Sequence, residues 1–287
     1  MGLFSKEECC LCSNKVGVLG RKKIKGGEYI CNDCEESNLS VFFEPSQYDK
    51  EQVVNHIEYL KKQDQLYKEE FATLSDEQVY SFKFQFGGIV FADDIAMFEI
   101  IHPKQKNSNY KELFRYDQIR AFQRYCEEDP EKEGEYKEVG VEIIFDCMVN
   151  DFGTPSIDCR YDKAHPYLNK VRITCGKNQD SIYFTTNSVM DKLNEIFGRE
   201  PDHKSVSASI KESFIGTNEE RRDIQHGADI LGAFGKLAKS ALSKDNDALD
   251  NAKTSFMNTA VNVMDEQTGN RKKHREIADT VEKRVWG

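Results

Sequence analysis

Four cysteines carry the clearest chemistry in the chain. Cys9 and Cys12 form one C-x2-C pair, Cys31 and Cys34 form a second, and 18 residues separate the pairs. Each such pair places two thiolates on one side of a tight turn, and two turns brought together complete a tetrahedral sulfur cage suited to Zn2+. Four sulfur ligands leave no open position for water, so the expected cofactor is one structural zinc per chain, not a catalytic one. The metal would hold together about forty residues that bury too little apolar surface alone. The sequence has 9 cysteines and begins without a long apolar leader, a combination that points to a reducing, cytoplasmic setting in which metal binding or buried thiols, not disulfides, account for them.

Something must hold the pairs face to face. Val16, Val18 and Leu19 before Gly20, then Ile24 before Gly26-Gly27, then Tyr29 and Ile30, read as two short strands with a turn. Asn32-Asp33-Cys34-Glu35-Glu36 has the acidic character of a helix N-terminus, so a zinc ribbon and a treble-clef module both fit. Cys10 stands outside the pairing, although its position beside Cys9 leaves the first ligand open to a shift of register.

The opening M-G-L-F, then C-x-L-C-S-N-K-V-G-V-L-G, a basic stretch and G-G-E-Y-I-C-N-D-C resemble the bacterial domain-of-unknown-function family number 4428 over about residues 1–45. The resemblance implies a small zinc module at the start of a bacterial cytoplasmic protein, with Cys9, Cys12, Cys31 and Cys34 as ligands. It brings no established activity. The doubled Cys9-Cys10 departs from the pattern.

Charge narrows the partners. The net charge is −10, and residues 41–218 hold the whole excess, with 22 basic against 32 acidic side chains. An acidic body repels phosphate backbones and anionic lipid, so nucleic acid or membrane contacts would have to use the ends. Arg21, Lys22, Lys23 and Lys25 form one basic cluster, and Arg271, Lys272, Lys273, His274 and Arg275 another. Short runs of this kind are also ordinary solvated surface.

Five segments follow from the patterning: a zinc module over 1–45, a connecting helix within 46–78, a β domain over 79–198, a linker over 199–220 and a helical arm over 221–287. In the connecting segment Val53, Ile57, Leu60, Tyr67 and Phe71 make an apolar stripe interrupted by Asp64. Seven strands are expected at Tyr80–Phe86, Ile95–Ile101, Leu113–Tyr116, Ile119–Tyr125, Val139–Val149, Val171–Cys175 and Ile182–Thr185, with an acidic loop from Glu127 to Glu138. A helix capped by Asn187 and ending at Gly198 follows, with Val189, Met190, Leu193, Ile196 and Phe197 on one face. Seven strands and one helix, with the segment F-R-Y-D-Q-I-R-A-F, resemble bacterial pleckstrin-homology-like barrels, so the expected class is α+β and multidomain. That superfold implies no single function. The acidic loops argue against lipid headgroups and for a protein-interaction platform.

Other motifs lack their context. Asp151-Phe152-Gly153 has no accompanying kinase elements, and Gly227–Lys236 matches a phosphate loop only at Gly235-Lys236. His56, His102, His165, His203, His226 and His274 are scattered, and Cys126, Cys147, Cys159 and Cys175 read as small buried residues. In the arm, Ile224, Ala228, Leu231, Ala238 and Leu242 form one stripe, Leu249, Ala252, Phe256, Ala260 and Val263 another, and Ile277, Val281 and Val285 a third. These helices offer packing within the chain, between copies or to a partner; Asp223, Asp229, Asp245, Asp247 and Asp250 alternate with Lys236, Lys239 and Lys244, which argues against a membrane surface. The expectation is a non-enzymatic zinc-binding adaptor with a protein partner. The first alternative is a nucleic-acid-associated protein using Arg21, Lys22, Lys23 and Lys25, and the second a membrane-surface sensor using the arm.

Overall fold

A computed structural model describes residues 6–131, 136–148, 163–176, 179–199 and 270–287. The Asp151-Phe152-Gly153 triplet, Cys159, the Gly227–Lys236 segment, the expected linker beyond residue 199 and the arm stripes before residue 270 lie outside the described residues. The chain divides into two units, Met1–Val189 with His274–Gly287, and Met190–Lys273.

The first unit opens with two small hairpins. Strands β1 (Glu7–Glu8) and β2 (Lys15–Val16) flank the first cysteine pair, and β3 (Arg21–Lys23) pairs antiparallel with β4 (Tyr29–Cys31). Gly26 and Gly27 turn the second hairpin at φ +98° and +99°, a region closed to most L-residues by Cβ. Helix α1 (Asn32–Asn38) begins where β4 ends, with Asp33 and Glu35 in its first turn. Helix α2 (Lys50–Glu69) follows, started by a capping box in which Asp49 and Gln52 bond reciprocally.

Among the described residues, seven strands come next, in two antiparallel sheets. The first has the order β5-β6-β7-β8: β5 (Tyr80–Phe84), β6 (Gly87–Ala92), β7 (Met97–Ile101) and β8 (Leu113–Arg115). The second has the order β11-β10-β9: β9 (Ile119–Glu128), β10 (Tyr136–Phe145) and β11 (Lys170–Gly176). The mixed α+β class holds, but the pleckstrin-homology-like barrel does not: among the described residues no ladder joins the two sheets, so no closed sheet forms. The break falls at Tyr116–Gln118, a buried turn after β8. Tyr116 donates its hydroxyl to Asp93 at 2.8 Å and its N–H to the Ala96 carbonyl at 3.0 Å, which ties the turn to the first sheet while the chain leaves to start the second.

Three element expectations also change. Gly87–Ala92, which lies in none of the expected strands, is a strand; it sits centrally in its sheet, with Ile89 and Phe91 fully buried. Ile182–Thr185 is not a strand but part of helix α3 (Gln179–Ile196), which places Asn187 inside the helix instead of at its cap. The apolar repeat explains this: buried Thr186 already precedes Val189 by three residues, extending the helical face past Asn187. The two ends of the expected Glu127–Glu138 loop are ladder: Glu127 pairs with Glu138, and Lys137 bridges to Glu127 at 3.1 Å.

Aromatic rings fill the core of the sheets. Phe98 lies 5.4 Å from Phe114 and 6.3 Å from Phe145, and Phe114 lies 5.6 Å from Phe145, each measured between ring centroids. A C-terminal helix α4, over residues 270–286, returns to the first unit from His274 onward. Ala278 and Val281 are buried and Val285 partly so, in a cluster with Leu66, Phe71, Val90, Met97 and Leu113. Val281 and Val285 of the third expected stripe are thus used for packing within the chain. Arg115 locks the helix electrostatically, bonding bidentately to Asp117 at 2.9 Å and reaching Asp279 at 2.7 Å and Glu282 at 2.8 Å.

Within the second unit, α3 ends as expected at Gly198. Gly198 takes φ +67°, its N–H bonds to Glu195 at 2.9 Å, and the Arg199 N–H reaches Asn194 at 2.7 Å, closing a Schellman motif. Asn270 donates to the Phe197 carbonyl at 2.6 Å.

Candidate metal centre

Local backbone geometry sets the four cysteines. Cys9 leaves β1 and turns through Ser13, which adopts a left-handed φ of 62°; the Ser13 N–H bonds to the Cys9 carbonyl at 2.8 Å. The Cys10 N–H donates to the Tyr29 carbonyl at 2.8 Å, which pins the first turn against the second hairpin. Cys31 closes β4 and caps α1, its sulfur accepting the Cys34 N–H at 3.4 Å. Both second-pair ligands therefore sit at the start of a helix, the feature that separates the treble-clef alternative from a plain ribbon.

The Sγ atoms of Cys9, Cys12, Cys31 and Cys34 all lie within 4.8 Å of one another, and those of Cys12 and Cys31 are 3.7 Å apart. A tetrahedron with zinc–sulfur bonds of ~2.3 Å has edges of about 3.8 Å, so the spacing and the all-sulfur donor set fit Zn2+. Cys10 stays outside this quartet, which resolves the register. Cys9, Cys31 and Cys34 are buried and Cys12 is exposed, so the cluster has one accessible edge.

Electrostatics favour a cation here. Burial raises the Cys9 thiol, but the N–H groups of Cys31, Cys12 and Leu11 outweigh it and bring the thiol down to about 7. Burial, then hydrogen bonds from Cys31 and Cys12 and the charge on Cys9, drive Cys34 far above its ordinary value. Burial also raises Cys31. Four sulfurs this close cannot all ionise beside one another without positive charge between them.

Residues 7–59 match the family model described as Domain of unknown function (DUF4428), which covers the four cysteines and the first half of α2. Neither the curated proteins nor the solved structures yield a match. The described part of the chain holds no helix long and apolar enough to cross a membrane.

The other expected site residues are spread out. Lys22 bonds Glu35 at 2.6 Å and lies 3.4 Å from Glu44, and the Arg21 guanidinium stacks 4.4 Å over Tyr29, so half of this basic cluster serves its own module. Lys23 and Lys25 are exposed. In the C-terminal cluster Lys272 and Lys273 are exposed, whereas His274 meets Tyr116 edge-on at 5.2 Å. Cys147 and Cys175 are buried as expected.

Two of the scattered histidines do converge. His56 from α2 and His165 from the segment before β11 meet around partly buried Tyr167 and buried Glu112 and Ser40. Nothing in the sequence flags this cluster, because its members lie up to 127 residues apart and match no motif spacing.

Proposed function

We propose that the chain is a non-catalytic, cytoplasmic bacterial adaptor whose N-terminal module is held by one structural Zn2+ on Cys9, Cys12, Cys31 and Cys34 and whose sheets and helices display a surface for a protein partner. The observation that carries the metal reading is the approach of four sulfurs within 4.8 Å, two of them delivered by a helix start. Such a cage stabilises a fold and leaves no open coordination position for a reacting ligand. A protein partner is favoured over nucleic acid because Lys22 is engaged by Glu35 and Glu44 and the central region is acidic.

Metal analysis of purified, nuclease-treated full chain, run with size-exclusion chromatography, tests this. One zinc per chain, lost on Cys31→Ser or Cys34→Ser, with no nucleic acid retained, is the expected result. Absence of zinc would remove the metal reading, and co-purifying nucleic acid that is sensitive to nuclease and released as salt rises would replace the partner reading.

A further inference from the structure

The joint between the cysteine module and the sheets is built around a buried carboxylate. Glu112 precedes β8 and is 3% exposed. Its two oxygens accept from neutral hydroxyls, Tyr167 at 2.5 Å and Ser40 at 2.7 Å. Ser40 belongs to the connection between α1 and α2, so one oxygen is tied to the cysteine module and the other to the segment that enters β11. Among the described residues no lysine or arginine lies within ion-pair distance of Glu112. Its basic neighbour is His165, with Nε2 3.7 Å away.

That histidine is held neutral by its own bonds. His165 is fully buried, and its Nδ1 accepts the Leu168 N–H at 3.0 Å, which leaves the ring hydrogen on Nε2, facing Glu112 and the Tyr59 hydroxyl at 3.4 Å. His56 is likewise an acceptor: its Nε2 takes the Ser40 N–H at 3.2 Å while its ring stacks on Phe43 at 3.9 Å. The groups facing the carboxyl are thus Ser40 from the module, His56 and Tyr59 from α2, and His165 and Tyr167 from the strand-entry segment. Arg115 and Glu282 act on Tyr59 from farther away, and Arg115 is already engaged by three carboxylates. A negative charge at Glu112 would sit in a buried joint with no cation beside it among the described residues, an unfavourable state unless a proton neutralises it.

We propose that Glu112 is a proton-binding site that regulates the joint: taking up a proton tightens the docking of the cysteine module onto the sheets, and losing it loosens them. Burial raises the carboxyl from 4.5 to about 7, against the lowering effect of the Tyr167 and Ser40 hydroxyls, which puts the transition near neutrality. The sign follows from linkage. An acid held above its ordinary value supports docking fully below about pH 4.5, and that support is lost as pH rises through about 7. His56 and His165 act oppositely, because burial lowers both to about 3 and weakens the joint as pH falls below 6.5. The Glu112 contribution is therefore read by difference.

Amide exchange in the zinc-loaded full chain, corrected for intrinsic rates, should be compared between wild type and Glu112→Gln over residues 40–60. Gln keeps the shape and an acceptor but binds no proton. The ratio of wild-type to variant protection is expected to fall about tenfold between about pH 6 and about pH 8. A ratio that stays constant overturns the proposal. Zinc content measured on both proteins separates this outcome from failure of the metal site. Should the variant not fold, the carbon-13 titration of the Glu112 carboxyl in wild type decides alone: a midpoint near neutrality supports the proton site, and one in the ordinary carboxylate range refutes it.

Discussion

The cysteine module packs Ile24, Ile30, Leu39, Phe43, Tyr48 and Val53 around three buried sulfurs, whereas the sheets pack Phe91, Phe98, Phe114, Phe145 and Tyr116 against one another. Both regions are antiparallel hairpins followed by a helix, yet they reach stability by different routes. The module's strands are two or three residues long and cannot form a sheet of independent stability. Those of the second region run to ten residues, and their sheets bury the rings of Phe91, Phe98, Phe114, Tyr125 and Phe145. The first needs a cation to organise it; the second carries its own cohesion.

Removing a metal ligand should separate the two most sharply. Cys31→Ser is expected to abolish zinc binding, whose free energy in structural sites is about 10–16 kcal/mol, and to unfold residues up to about Leu39. Metal analysis with residue-resolved amide exchange reads both effects. If the sheets lose protection together with the module, the two regions form one cooperative unit and the contrast fails. The converse change is Phe98→Ala, a fully buried ring deletion expected to cost about 3–5 kcal/mol in denaturant titration while leaving zinc stoichiometry intact.

Arg115→Ala is expected to be nearly as severe, at about 3–5 kcal/mol, because it strands the fully buried Asp117 and releases Asp279 and Glu282. Exchange of α4 should rise before that of the sheets, and a uniform rise would contradict the role assigned to this arginine in holding the helix. Acid should act on the joint more gently: His56 and His165 are each held neutral by burial, so stability is expected to fall by up to about 1.4 kcal/mol per histidine per pH unit below about 6.5. His56→Phe should flatten that acid limb in thermal melts, and an unchanged limb would place the titration elsewhere. The smallest effect is Asp49→Ala, which removes one half of a capping box and should cost about 1 kcal/mol, with α2 fraying at its start.

Legibility in the sequence followed the range of the interactions. The two cysteine pairs were readable because their spacing is itself the ligand geometry, and α2 was readable because the stripe of Val53, Ile57, Leu60 and Tyr67 is a local signal. The treble-clef feature was half visible in Asp33 and Glu35. The β6 strand was hidden because Gly87-Gly88 serves close approach, where an added Cβ would come within 2.2 Å of the Ile101 carbonyl oxygen at Gly87, instead of a bend. The barrel expectation reached seven strands only because the missed β6 offset the mistaken strand at Ile182–Thr185, and it could not see that Tyr116–Gln118 would end one sheet and begin another. The Glu112 joint was invisible, since Ser40, Glu112 and His165 become neighbours only through packing.

Helix α2 contributes Val53 to the core around the cysteines and Leu66 to the core under α4, so one rigid rod of about 30 Å is clamped in both. Its angular phase is therefore shared. One residue inserted between Leu60 and Leu66 would turn one clamp by about 100° against the other, while a seven-residue insertion would nearly restore the phase and only lengthen the rod. The helix works as a keyed shaft, and tolerance to insertions there should follow its pitch.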